Sequence, residues 1–594
     1  MTEQVRAERA LVTPTDARRD ALVTFVDGTI LAAPVGTSLE AYVQAWHAEH
    51  GNGRPIAAVV DGQLRELTIP VERDICVKPL SMGSSDGARI YRRSLIFLLT
   101  TAADELFGCK VVVHHALPTG AFYCHPLGRP NFTQAELDQL DARMREIVAH
   151  DDPIRRMQVP LQDAKALFKR RGDDDKLRLM EIRDRDYLVL YTLRGNSDYF
   201  FGYMVPSTGY LDTFELRLYP PDGFLIMYPR RESPEVIRPY EESNKIAAVF
   251  DQAAQWLELL GVEDIGHLNQ AIRNGRAREL ILVAEALHNQ HIAGIANDIA
   301  ARHKQGVRLV LIAGPSSSGK TTFSKRLAVQ LLAHGLKPYP LAMDHYFVDR
   351  DDTPRDENGE FNFEALEALN RPVLNEQLLA LMRGEQVNVP HFDFIQGKSV
   401  PGEEVQLTPE HILIVEGIHG LNPALVPAVP PETIYRIYTS ALTQLNIDRH
   451  NRVPTTDVRI LRRIVRDATY RGYSALDTLE RWSSVRRGEK AYIFPFQENA
   501  DVMFNSALVY ELAVLRPLAE PLLLQIAPDS AHYTEAKRLL SFLRWVRPMP
   551  ADQVANIPDT SLLREFVGGS ILRTYMPGEG QPTYAGQDGH VNHS

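Results

Sequence analysis

Apolar residues change their spacing along this chain of 594 residues, and these changes delimit its predicted parts. Alternating apolar runs near the start predict strands at 22–26, 29–33, 56–60, 63–67 and 75–80. From residue 307 short continuous apolar runs alternate with helical patterns, which predicts buried strands at 308–313, 338–343, 412–415, 434–438 and 501–504. The second pattern indicates an α/β domain with a parallel sheet and helices on both faces.

The chain is too long for a single hydrophobic core, because cores stop growing near ~250–300 residues. A glycine- and serine-rich stretch at 83–87 predicts a flexible joint after the first strands. We expect six parts: a flexible tail at 1–20, a small domain of β-hairpin, helix and β-hairpin at 21–82, an α+β domain at 90–235, a helical connector at 236–305, the parallel α/β domain at 306–525, and a docking segment with tail at 526–594.

Composition narrows the functional classes. No apolar run approaches the ~18–20 residues that a membrane helix needs, so we expect no membrane contact. Three irregularly spaced cysteines and the absence of an apolar stretch at the N-terminus favour a cytoplasmic protein. The formal net charge of -11 opposes a large non-specific nucleic-acid surface.

One glycine-rich loop fits the pattern G-x-x-x-x-G-K-[ST] at every fixed position, between a predicted buried strand and a predicted helix. Its residues are Gly314, Pro315, Ser316, Ser317, Ser318, Gly319, Lys320, Thr321 and Thr322. Backbone N–H groups of such a loop surround phosphates at a helix N-terminus. We therefore expect ATP here, with Lys320 at its β- and γ-phosphates and the Thr321 hydroxyl on Mg²⁺.

Two carboxylates follow predicted strands of the same domain. Asp344 comes after the second strand, where it could accept a proton from an acceptor hydroxyl or merely cap a turn. Glu416 ends the third strand, as a Mg²⁺ ligand or as a solvated strand end. Both positions lie where ligands gather in α/β sheets.

Arginines recur on one predicted helix at Arg459, Arg463 and Arg466, with Arg462 and Arg471 nearby. Such a face is either solvated or forms a lid over the transferred phosphate, and its place in a nucleotide-binding domain favours the lid. A second helical pattern at 280–302 carries His288 and His291 one turn apart. A helix packed in the core explains this pattern better than a pair of metal-binding histidines does.

Residues 307–525 resemble the phosphoribulokinase/uridine kinase family in the loop and in five further motifs in the same order. These are Met343-Asp344-His345-Tyr346-Phe347, Asn362-Phe363-Glu364, Val389-Pro390-His391-Phe392-Asp393-Phe394, Val415-Glu416-Gly417-Ile418, and Arg462-Arg463-Ile464-Val465-Arg466-Asp467 before Arg471-Gly472.

The resemblance implies roles for these positions. It makes Asp344 the catalytic base, assisted by Lys320 and Arg466, and gives the metal to Thr321 and Glu416. The nucleotide phosphates would be held by the loop, Arg466 and Arg471. The substrate positions would be Asp344, Phe347, Glu364, Phe392, Phe394, Ile418 and Arg463.

Two departures bear on the acceptor. Uridine kinases carry tyrosine where this chain has Phe392, and a base-reading histidine where it has Gly397. Hydrogen-bonding groups reject wrong substrates far better than apolar walls do. The expected phosphoryl chemistry is thus complete, whereas a preference for uridine over related small molecules is not indicated.

The first half resembles other proteins. Residues 21–81 are similar to a TGS domain, which implies a ubiquitin-like β-grasp fold. Residues 90–230 resemble the second additional domain of threonyl-tRNA synthetase, an α+β domain that edits mischarged tRNA. At the positions of its H-x-x-x-H pair this chain has Arg93 and Phe97, and no C-x-x-x-H occurs. The ligands of a hydrolytic site are therefore missing.

The whole arrangement resembles bacterial nucleoside-kinase-like proteins, to which the segment 562–570 (LLREFVGGS) is also similar. We expect a uridine kinase-like enzyme acting on a small-molecule acceptor. The alternative is an RNA- or ribosome-associated regulatory ATPase that contacts RNA through the N-terminal modules.

Overall fold

The computed structural model describes residues 18–51, 53–219, 223–355, 359, 361–393, 396–443 and 445–577. The chain forms two compact units, one within 1–112, 120–164 and 187–239, the other within 113–119, 165–186 and 240–594. Most of the predicted tail at 1–20 and the end of the chain lie outside the described residues. The six domain boundaries stay predictions.

The first unit opens with a five-stranded sheet around one helix, as the predicted strand–helix pattern indicated. In sheet order its strands are Ile30–Pro34, Asp20–Phe25, Ile75–Ser81, Pro55–Val60 and Gln63–Arg65. Only the second and third strands of this order pair in parallel. The helix Leu39–His50 begins where Ser38 caps the Ala41 N–H and ends at Gly51, which has a φ of 62°. Leu39, Tyr42 and Val43 bury its apolar face in the core of this sheet.

The predicted flexible joint at 83–87 is wrong in part, because a helix begins inside it. Ser84 accepts a hydrogen bond from the Gly87 N–H and starts the helix Ser85–Phe107. Gly87 is required there, since a Cβ would overlap the Ser81 carbonyl oxygen. The other elements of the first unit are the helix Gln134–His150, the antiparallel strands Ala121–Pro126, Gly223–Met227 and Glu215–Tyr219, and the antiparallel strands Arg155–Pro160, Tyr187–Leu193 and Asn196–Asp198. Three further elements lie at or near the points in the sequence where the chain passes from one unit to the other. They are the strand Val111–Leu117 and the helices Leu161–Arg171 and Asp174–Leu179.

The second unit is built on the predicted parallel sheet. Its strands are β1 (Leu309–Ala313), β2 (Lys337–Ala342), β3 (His411–Glu416), β4 (Ile434–Ser440) and β5 (Val502–Asn505), in the sheet order β2-β3-β1-β4-β5. All neighbouring strands are parallel, which confirms the predicted sheet class. Separate apolar cores cover the two faces of the sheet, because side chains alternate across each strand.

Helices surround this sheet. They are Asn244–Leu260, Ile265–Arg273, Ala277–His303, Lys320–Ala333, Arg371–Met382, Thr455–Tyr470, Ala475–Tyr492, Glu511–Leu523, Tyr533–Leu543, Ala551–Val554 and Arg564–Val567. An antiparallel hairpin lies between β2 and β3 in sequence and consists of the strands Val387–Asp393 and Lys398–Val405. None of the helices in the described part of the chain has both the length and the apolar character to span a bilayer.

The helix Ala277–His303 confirms the predicted packing helix, with Ile292, Ile295 and Ile299 in the core. His288 is buried and its Nε2 bonds the Ala507 carbonyl, so it packs inside the unit. Leu282, an apolar residue within the pattern at 280–302, is not part of this core and is 54% exposed.

Candidate phosphoryl-transfer site

The glycine-rich loop, Asp344 and Glu416 lie at one edge of the parallel sheet. Ile312 near the end of β1 and Ala342 at the end of β2 both pair with Glu416, the last residue of β3. The glycine-rich loop therefore leaves β1 beside Glu416, and Asp344 follows β2 on the other side of it. This carboxyl-terminal edge is where ligands bind in open α/β sheets.

The glycine-rich loop has the conformation that phosphate binding requires. A Cβ at Gly314 would overlap the Thr439 carbonyl oxygen, so only glycine allows the loop to pass β4 this closely. Ser317 and Gly319 have φ values of 58° and 83° and turn the chain into the helix Lys320–Ala333, the P-loop helix. The N–H groups of its first turn have no acceptor within the helix and favour an anion.

Lys320 stands at the start of the P-loop helix. Its Nζ donates to the Pro315 carbonyl at 3.3 Å, which holds the ammonium across the loop. Burial lowers the pKa of Lys320, and the nearby carboxylates of Glu416 and Glu565 oppose that shift. A cation held here in a desolvated position interacts strongly with an added phosphate.

Thr321 and Glu416 were predicted to hold magnesium, and their geometry fits this role. Thr321 Oγ1 donates to Glu416 Oε1 at 2.9 Å. Adjacent ligands of an octahedral Mg²⁺ with bonds of 2.0–2.1 Å also lie about 2.9 Å apart. Nowhere among the described residues do three His, Cys, Asp or Glu side chains form a metal-binding group. Mg²⁺ is commonly held by one or two protein oxygens together with phosphate and water.

Asp344 lies in a short 3₁₀ turn, Met343–Tyr346, directly after β2. Asp344 is an exposed residue, although the protein around its carboxylate partly desolvates it. Desolvation raises the pKa of Asp344, and Lys320, His345 and Arg471 act against this. A carboxylate of raised pKa that a solute can reach is suited to general base catalysis.

The predicted lid corresponds to the helix Thr455–Tyr470, the lid helix, and the residue after it. Arg463, Arg466 and Arg471 share one buried carboxylate, Asp467, with nitrogen–oxygen distances of 3.2, 2.8 and 3.6 Å. Arg463 also donates to Ser316 Oγ at 2.7 Å. Three guanidinium groups around one carboxylate leave an excess of positive charge, and this excess can bind a phosphate.

Arg459 does not extend into the open cleft as the lid hypothesis expected. It is buried, bonds Glu489, and donates to the Ser316 carbonyl of the loop at 2.9 Å. Arg462 is likewise buried against Glu511, with an Nε–Oε2 distance of 2.6 Å. These two buried arginines contact the loop and support it, and they do not face open solvent where a substrate could bind.

The predicted acceptor side is partly assembled. Phe347 meets Phe392 edge-on, with ring centroids 5.6 Å apart. Glu364 packs against Gly488, and burial raises its pKa, with the nearby carboxylate of Glu489 adding to the shift. Ile418 packs against the apolar core beside β4. Phe394 lies outside the described residues.

Sequence reasoning missed two carboxylates at the loop. Glu489 accepts a hydrogen bond from the Ser316 N–H at 3.0 Å, and Glu565 accepts one from the Thr322 N–H at 3.2 Å. No local pattern marks Glu489, because its partners are distant in sequence. Glu565 belongs to the C-terminal motif at 562–570, which the sequence singled out without a role.

In the first unit, Arg93 and Phe97 occupy the positions of the synthetase's histidine pair. Arg93 donates to the Tyr203 carbonyl at 2.6 Å and its guanidinium covers Gly202. Phe97 is fully buried against Phe200, with ring centroids 5.0 Å apart. Packing interactions hold both side chains in place.

Loop, sheet and carboxylates together define a P-loop domain of the nucleotide-dependent phosphotransferase type. The model of the "Phosphoribulokinase / Uridine kinase family" matches residues 309–513. A protein named uridine kinase from Staphylococcus haemolyticus is 30% identical over 196 residues, which are 33% of this chain and 86% of that protein. The chain belongs to the phosphoribulokinase/uridine kinase family.

A different relative supports a synthetase-like region in the N-terminal part. Threonine–tRNA ligase from Symbiobacterium thermophilum is 31% identical over 152 residues, 25% of this chain, and the chain spans only 23% of that ligase. A solved structure described as a possible uridine kinase from Bacillus stearothermophilus is 18% identical, with 34% of this chain and 89% of that chain covered and a TM-score of 0.23.

Proposed function

We propose that this protein is an ATP- and Mg²⁺-dependent kinase that phosphorylates a hydroxyl of a uridine-like nucleoside or a related small metabolite. One observation carries the proposal. A phosphate-binding loop, a hydroxyl–carboxylate pair of magnesium geometry, and an accessible carboxylate of raised pKa lie together at the end of the parallel sheet. A nucleotide-binding site alone does not require the third group.

In the proposed reaction the residues have separate tasks. The loop and Lys320 hold the triphosphate, and Asp344 accepts the proton of the acceptor hydroxyl. The acceptor oxygen then bonds to the γ-phosphorus while the bond from that phosphorus to the β,γ-bridging oxygen breaks, and ADP leaves. Arg463, Arg466 and Arg471 stabilise the charge on the transferred group. Thr321 and Glu416 would hold Mg²⁺, which neutralises phosphate charge.

The acceptor is proposed only as a class. Gly397 has a φ of 69°, and a side chain there would meet Arg350, so the chain offers no base-reading group at that position. The half-buried Phe347, packed edge-on against the buried Phe392, supplies an apolar surface that a base or another flat apolar group could contact. These features support a nucleoside-like acceptor without favouring uridine over its relatives.

A screen tests the proposal directly. Purified full-length protein with labelled ATP and MgCl₂ is offered nucleosides, ribulose 5-phosphate and pantothenate. We expect transfer to at least one ribose-containing acceptor and none without magnesium. Normal ATP binding with no transfer to any small acceptor would contradict the proposal.

The similarity to threonine–tRNA ligases favours a second candidate, an RNA- or ribosome-associated regulatory ATPase. Residues 21–82 as a TGS domain and RNA contact through the N-terminal modules are part of this hypothesis. It requires sub-micromolar tRNA binding that weakens steeply with salt, because RNA contacts release counterions. Absence of binding at low salt would eliminate it.

A further inference from the structure

The carboxylate of Glu565 occupies an anion position at the start of the P-loop helix. Its Oε2 accepts the Thr322 N–H at 3.2 Å and the Thr322 hydroxyl at 2.8 Å. The same oxygen thus uses a donor that a phosphate-binding loop presents to its ligand. Glu565 is also close enough to Lys320 and Glu416 to influence the pKa of each.

Glu565 belongs to the C-terminal segment (561–573), which is firmly attached to the nucleotide-binding loop. Leu562 is fully buried, and a Cβ at Gly319 would lie 3.0 Å from its Cδ2. Phe566 is fully buried, with the Arg462 guanidinium 4.9 Å from its ring centroid. Lys325, one turn beyond Thr322, donates to the carbonyls of Leu572 and Arg573 at 2.8 and 3.0 Å.

This attachment limits what a ligand can move. Displacing the whole segment would expose the fully buried apolar side chains of Leu562 and Phe566 to water, which is unfavourable. Glu565 itself is only half-buried, so its side chain can rotate away while the anchors remain in place. A nucleotide phosphate and the Glu565 carboxylate cannot both accept from Thr322 without strong repulsion between like charges.

We propose that Glu565 is an internal competitor of nucleotide phosphate, presented to the P-loop helix by the C-terminal segment. This inference rests on the proposed function, because it requires a triphosphate in the loop. The competition raises the ATP concentration needed to fill the site and leaves the binding of uncharged nucleoside unaffected. The C-terminal motif thereby acquires a role at the nucleotide site.

The test compares full-length parent, Glu565→Gln and Glu565→Ala by calorimetric titration with MgATP and with adenosine. We expect both variants to bind ATP about 10-fold more tightly, the scale of a hydrogen bond to a charged group. Adenosine affinity should not change. Asp559→Asn is the matched control, because it removes one exposed charge from the neighbouring turn and should bind ATP as the parent does.

The possible results distinguish failure of the proposed competition from failure of the proposed kinase function. Parent and Glu565 variants with equal ATP affinity would overturn the competition alone. Weaker ATP binding by the variants would also overturn it, since Glu565 would then help to hold the nucleotide. Absence of ATP binding to parent and all variants would overturn the proposed function and the inference together.

Discussion

At the scale of single residues, the roles of Asp344 and Lys320 can be separated by kinetics. Asp344→Asn should leave ATP affinity nearly unchanged and lower transfer by ~10²-fold or more, the usual scale of general base catalysis. Lys320→Ala should weaken ATP binding and turnover together, because the role proposed for Lys320 is to hold the donor's phosphates and not the acceptor. Calorimetry and steady-state rates measure both effects, with the exposed Asp351→Asn as control.

The pH profile provides an independent check on Asp344. Because desolvation raises its pKa above 3.8, the base is lost to protonation as pH falls through that raised value. The acid limb of kcat/KM should therefore lie above pH 3.8 in the parent and disappear from the residual rate of Asp344→Asn. An asparagine variant with parental rate would place the base elsewhere, and Asp393 is then the next carboxylate to test.

Two glycines illustrate how the same substitution can have opposite effects. Gly314→Ala forces a Cβ onto the Thr439 carbonyl, so the loop must shift and ATP binding should be lost. Gly294→Ala lies in the exposed middle of the helix Ala277–His303 with nothing within 4 Å. It should stabilise the protein by roughly 0.5–1 kcal/mol through helix propensity. Thermal unfolding and ATP titration distinguish these outcomes.

At the scale of elements, the lid helix supports the loop through buried ion pairs. Glu489→Gln leaves the guanidinium of Arg459 buried without its counter-charge, and should cost about 3–5 kcal/mol of unfolding free energy. Because Arg459 also donates to the Ser316 carbonyl, loss of its ion pair should disturb the loop and lower ATP affinity as well. Denaturant unfolding and ATP titration measure the two effects.

An exposed pair is the control for this comparison. Arg276 and Glu279 form a surface ion pair at 2.7 Å, and Glu279→Gln should change stability by less than about 1 kcal/mol. Equal effects of the two glutamine substitutions would show that burial of the Arg459–Glu489 pair does not matter. The structure assigns the difference to desolvation, since both side chains of the buried pair are almost inaccessible.

At the scale of the whole molecule, buried histidines make stability depend on pH. Burial lowers the pKa of His419 to about 4, and that of His115 and His288 well below 6.5. Below about pH 6.5 the unfolded chain binds protons at these sites that the folded protein does not, so stability falls as pH decreases. His419 alone contributes roughly 3 kcal/mol between pH 6.5 and 4.

Denaturant unfolding at pH 7.5 and pH 5 measures this effect. His419→Leu should lose less stability than the parent between the two pH values, because its unfolded state gains no proton at that position. His150→Leu, at an exposed helix end, should retain the parental pH dependence. A parental slope in His419→Leu would mean that other groups cause the acid sensitivity.

The sequence by itself determined the local elements and the chemistry that they carry. Hydrophobic runs located the strands β1 to β5, because parallel strands are buried on both faces and read as continuous apolar stretches. The loop at 314–322 was recognisable because phosphate binding demands fixed residues at fixed spacing along one short segment. Asp344 and Glu416 were found from their positions at strand ends, which depend on sequence neighbours alone.

Only the tertiary structure decided which distant groups meet at the loop. Glu489 and Glu565 reach the loop from positions more than 150 residues downstream, and no local spacing records such contacts. Tertiary contacts also distinguish the arginines of the lid helix from one another. Arg459 and Arg462 are buried and support the loop, because they pair with Glu489 and Glu511 on other helices. Helical periodicity gives the direction in which a side chain points, and the packing of other elements decides what it meets there.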